Sequence, residues 1–109
     1  MGNTYKEKIQ LATKGIERSK KAIESYTKKL DSNIKRRKNL QNRLQRLKSR
    51  FSKSKKKPKS LSTSISNTTR SLDRNSKANS RLSMNIMKSK DKIDRQKSLI
   101  TKLKSLLST

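Results

Sequence analysis

The sequence predicts an all-α protein, a long two-helix antiparallel coiled-coil hairpin that turns near Pro58. Three observations predict it. Apolar residues recur every seven positions in two rows on each side of the chain's one proline. Charges avoid those rows. The apolar supply, 27% of 109 residues with 3% aromatic, is too small to bury a layered core against the entropy of ordering the chain. Long helices sharing one narrow seam are the fold that such a supply can stabilise.

The first helix is expected over about residues 4–54. Its a row is Ile9, Ile16, Ile23, Leu30, Arg37, Leu44 and Phe51, and its d row is Tyr5, Ala12, Ser19, Tyr26, Asn33, Leu40 and Leu47. Thr4 and Glu7 have the spacing of a capping box. Gly15 falls beside the seam, either as a tolerated helix glycine or as a point of close packing. Residues 1–54 thus form the first segment, and residues 55–61 form a basic turn around Lys55, Lys56, Lys57, Pro58 and Lys59. Proline ends the helical pattern there, because it lacks an N–H and biases its predecessor away from helical geometry.

The second helix is expected from about residue 62, in the segment 62–109. A Ser/Thr-rich stretch from Ser60 to Thr69 is a poor helix former and leaves its start open. Its a row is Ile65, Leu72, Asn79, Ile86, Ile93, Ile100 and Leu107, and its d row is Leu61, Thr68, Asn75, Leu82, Ser89, Gln96 and Leu103. Of the 28 seam positions Arg37 alone is charged, where a chain with 36% charged residues would place about ten by chance. The acids obey helix spacing too. Glu17, Glu24, Asp31, Asp73 and Asp91 each precede a Lys or Arg by four residues, and each pair supports a helix by about 0.2–0.5 kcal/mol.

Turning the chain at Pro58 sets a against a, with Phe51 near Ile65, Leu44 near Leu72, Arg37 near Asn79 and Ile9 near Leu107. Pairing a with d about a slightly later turn also fits, as does an extended helix that forms a parallel oligomeric coiled coil. Short connections favour antiparallel neighbours, and hence the hairpin. The polar d row makes that hairpin marginal alone, so oligomerisation or a bound partner is expected to complete it.

Charge points to the partner. Lys and Arg number 32 against 7 Asp and Glu, a net charge of +25. Such an excess repels itself, and phosphate backbones are its commonest neutraliser. No acid lies between Asp31 and Asp73. The cations Lys35, Arg36, Lys38, Arg43, Arg46, Lys48, Arg50, Lys53, Lys55, Lys56, Lys57, Lys59 and Arg70 are therefore the candidate nucleic-acid contacts, with Arg37 held in the seam. Lysines, arginines and interleaved serines suit phosphate more than bases. Base stacking needs exposed aromatic rings, and the seam claims Phe51.

Catalysis has no candidate. The chain lacks His and Cys, its acids serve as helix braces, and its glycines, Gly2 and Gly15, make no phosphate loop. No metal, cofactor or transmembrane segment is expected, and no apolar run nears the roughly 20 residues a span needs. Gly2 invites comparison with a myristoylation site, but Lys6 stands where that motif needs Ser or Thr. The sequence therefore predicts a non-enzymatic, sequence-nonspecific nucleic-acid-binding structural protein of a larger assembly, such as a nucleoid or virion interior, and a homo-oligomer or component of that assembly. The Lys55–Lys59 run also has the composition of a nuclear import signal. Two alternatives are a structural tape or clamp on acidic protein surfaces and an anionic-membrane-surface binder, the latter disfavoured by the narrow apolar face.

Overall fold

A computed structural model describes residues 2–108, with side chains from Thr4 onward. Two helices, α1 (Gly2–Lys53) and α2 (Lys59–Ser108), are joined by a loop over residues 54–58. The protein is an all-α two-helix hairpin. The helix pairing falls into two compact units: Met1–Lys28 with Ser83–Thr109, and Lys29–Leu82, which contains the loop.

Burial follows the heptads. Every seam position except Leu107 is buried or half-buried, Arg37 included. In the unit formed with the chain ends, Ala12, Ile16, Ile93 and Leu103 form the core. In the loop-bearing unit Leu47 is buried beside two polar residues, Thr68 and Asn75. The Thr68 hydroxyl donates back to the Ser64 carbonyl at 2.8 Å, and Asn75 Nδ2 donates across the helix pair to the Asn33 carbonyl at 3.0 Å. These two buried polar d residues are tolerated because backbone carbonyls accept from them, one within α2 and one across the helix pair.

The Ser/Thr-rich stretch is helical throughout, with back-bonding at its C-terminal end. Thr69 donates to the Ile65 carbonyl at 2.8 Å, as Thr68 does to Ser64 one position earlier. The helix starts at Lys59, ahead of the expected residue 62. Pro58 starts it, since its carbonyl accepts from Leu61 N at 3.1 Å and Ser62 N at 3.3 Å. Proline suits a helix entrance, where its missing N–H would find no partner anyway. At the other end of the chain the expected capping box does not form. Thr4 lies inside α1, which is already helical at Gly2.

The register also differs from the pairing centred on Pro58. In the loop-bearing unit Asn33 faces Asn75, and in the other unit the Gln96 side chain lies over Gly15. Both contacts set the pairing about an earlier centre, within the 54–58 loop. Arg37 consequently lies opposite residues earlier in α2 than Asn79. The reason is local: Pro58 belongs to the entrance of α2, so the turn is made before it. Gly15 is a tolerated helix glycine, because an added methyl would meet Gln96 at 3.7 Å, an ordinary contact.

Candidate nucleic-acid interface

Heptad spacing decides which cations are available. All thirteen candidate contacts, from Lys35 to Arg70, occupy positions off the seam and are exposed. They belong to the loop-bearing unit, which holds 18 Lys and Arg against 2 acids; the other unit holds 14 against 5. Its two acids are Asp31 and Asp73, and Asp73 is occupied by Lys77 at 3.3 Å. Of the five acid–base pairs expected at four-residue spacing, this is the one that closes to an ion pair among the described residues. The exposed cations are thus left with little internal neutralisation.

Lys57 departs from the rest. Its φ of 46° places it in the left-handed region, where the chain reverses immediately before Pro58. Its Nζ donates to the carbonyls of Phe51 at 3.0 Å and Ser52 at 3.2 Å, and stands 5.0 Å from the centre of the Phe51 ring. Those carbonyls belong to the last turn of α1, where helical donors run out and the helix dipole is negative; the Phe51 carbonyl also accepts from Ser54 N at 3.2 Å. Lys57 therefore closes the helix end, while Lys55, Lys56 and Lys59 extend into solvent around it. Arg50 and Lys53 stand in the same last turn.

Aromatic rings offer no platform for bases. Tyr5, Tyr26 and Phe51 are all half-buried at seam positions. Ammonium, guanidinium and hydroxyl groups predominate among the exposed groups of the loop-bearing unit, with Ile34 exposed beside them, a chemistry suited to phosphate oxygens more than to base edges.

Helix pairing adds a cation that the acid-free run does not contain. Arg74 follows Asp73 in sequence, yet it lines one groove with Arg36 of α1, together with Asn33, Ser71, Asn75 and Ala78. The groove has a volume of about 230 Å³ and no carboxylate in its lining. The signal that would have found Arg74 is the true register, which brings α2 residues 71–78 beside Asn33 and Arg36.

No cluster of metal-binding side chains and no helix long and apolar enough to cross a membrane occurs among the described residues. Comparison with protein-family models, with curated proteins and with solved structures finds no match for this chain.

Proposed function

We propose that this chain is a non-enzymatic, sequence-nonspecific nucleic-acid-binding structural protein that packages or scaffolds DNA or RNA in a larger assembly. One observation carries the reading: thirteen exposed cations share a unit that has only two acids. A surface of this kind gains affinity by releasing counterions from a phosphate backbone. The half-buried state of all three aromatic residues argues for backbone binding over base recognition.

The test is binding to duplex DNA, duplex RNA and single strands across a salt series. The expected result is tight binding with a steep salt slope. Changing Lys55, Lys56 and Lys59 to Gln is expected to flatten that slope by about one for each phosphate no longer neutralised. An equal loss from neutralising Lys97, Lys102 and Lys104 of the other unit would contradict the assignment to the loop-bearing unit. Weak binding to every polymer would remove the nucleic-acid reading itself.

A second reading, a tape or clamp on protein surfaces, is favoured by the exposed apolar residues Leu11, Met84 and Met87 in the unit formed with the chain ends. Under that reading affinity follows one acidic protein and ignores free nucleic acid. The same apolar residues are compatible with self-association, and sedimentation of the protein alone separates the two.

A further inference from the structure

The groove shared by Arg36 and Arg74 lacks the acid that a coiled coil would ordinarily supply. Arg36 occupies the position just before a seam residue, a flank where interhelical salt bridges usually form. The α2 residues on that flank of the groove are Ser71 and Ala78, small and uncharged. Neither arginine has an acid three or four residues away in sequence, and neither has an ion-pair partner among the described residues. Two arginines from different helices thus line one groove with no carboxylate in its lining.

The remaining lining is partly fixed and partly available. Asn75 is held by donating to the Asn33 carbonyl at 3.0 Å and accepting from Asn79 Nδ2 at 3.2 Å, so it forms a rigid floor. The Ser71 hydroxyl and the Asn33 side-chain amide make no hydrogen bond to the protein among the described residues and remain as donors. A groove of about 230 Å³ has room for a hydrated anion.

We propose that this groove is a discrete seat for one phosphate group of a bound polyanion, with Arg36 and Arg74 closing on it from the two helices. The proposal rests on the phosphate-binding reading above and adds to it a defined site and a role for Arg74. Donors converging from two helices match the tetrahedral oxygens of a phosphate. A planar carboxylate is satisfied by one guanidinium fork and leaves the second cation unanswered. A phosphate held this way ties α1 to α2 within the unit, so binding there also strengthens the pairing around the polar residues Asn75 and Asn79.

The experiment compares three full-length variants with the unaltered chain. R36Q/R74Q removes both forks, K48Q/R70Q removes two exposed charges away from the groove, and R36K/R74K keeps charge but loses fork geometry. Each is titrated with inorganic tripolyphosphate, with a short DNA duplex and with polyglutamate, and helicity is followed by circular dichroism. The expected result is that R36Q/R74Q weakens tripolyphosphate binding about tenfold, well beyond K48Q/R70Q, with R36K/R74K between them. Equal losses in the two Gln pairs would overturn the seat and leave diffuse phosphate binding in place. A response to polyglutamate as strong as that to tripolyphosphate, with the same dependence on both arginines, would reassign the groove to acidic proteins. Absence of binding to any phosphate polymer by the unaltered chain would overturn the seat and the broader reading together. Should R36Q/R74Q lose helicity, the Lys pair decides: unweakened binding by R36K/R74K would overturn the role of the guanidinium forks.

Discussion

Lys57 shows how one side chain can serve structure inside a run that otherwise serves solvent. A non-glycine residue in the left-handed region costs about 1–2 kcal/mol, and Lys57 adopts it among neighbours of identical charge. Its ammonium offsets that cost by donating to two terminal carbonyls of α1 and facing the Phe51 ring. Lys57→Gln is therefore expected to destabilise the helix pair by about 0.3–1 kcal/mol, the range for a cation at a helix C-terminus. Lys55→Gln and Lys56→Gln, whose side chains make no such bonds, are expected to leave it unchanged. Denaturant melts of the three variants check this, and an equal effect from all three would contradict a special role for Lys57. Asn79 is the opposite case. Its Nδ2 donates to Asn75, but its Oδ1 is buried without a partner among the described residues. An unpaired acceptor in a seam lowers stability while disfavouring other registers, which is the usual effect of a lone Asn at an a position.

At the scale of the helices, stability rests on a thin seam in which few residues are deeply buried. Ile93 is 8% exposed, whereas Leu11 on the outer face is 66% exposed. Ile93→Asp is expected to cost roughly 3 kcal/mol or more by burying a charge without a partner, with loss of the helical circular dichroism signal. Leu11→Asp is expected to leave that signal intact. Similar outcomes for the two would contradict the heptad frame. The frame itself was legible because period and charge agree: rows of Ile and Leu, and a single Arg37 among the seam positions. The turn was less so. Proline marks a break but does not say which side of the break reverses the chain, and here α2 takes Pro58 as its entrance. The start of α2 was obscured because Ser and Thr score poorly as helix formers, while the entrance is set by the Pro58 carbonyl accepting from Leu61 and Ser62. Most of the candidate cations were readable because charge needs no register to be counted. Arg74 was not, since only the observed pairing places it beside Arg36.

At the scale of the whole chain, electrostatic repulsion sets the conditions under which the seam holds. A net charge of +25 opposes the close approach of two cationic helices, and the ion pair Asp73–Lys77 relieves little of it. Screening therefore works in two directions. Added salt is expected to raise the melting temperature of the free protein while weakening its hold on a polyanion. Thermal melts across a salt series check the first half, and a melting temperature that falls with salt would show that repulsion does not limit folding. The 54–58 loop carries a different consequence. While it is intact, the helices meet as an intramolecular pair, at an effective concentration in the mM range for a short connection. A protease that cuts after Lys55 or Lys56 leaves every seam contact in place but makes α1 and α2 separate molecules. From then on the fold depends on dilution, and a nicked sample falls apart at concentrations where the uncut chain stays whole.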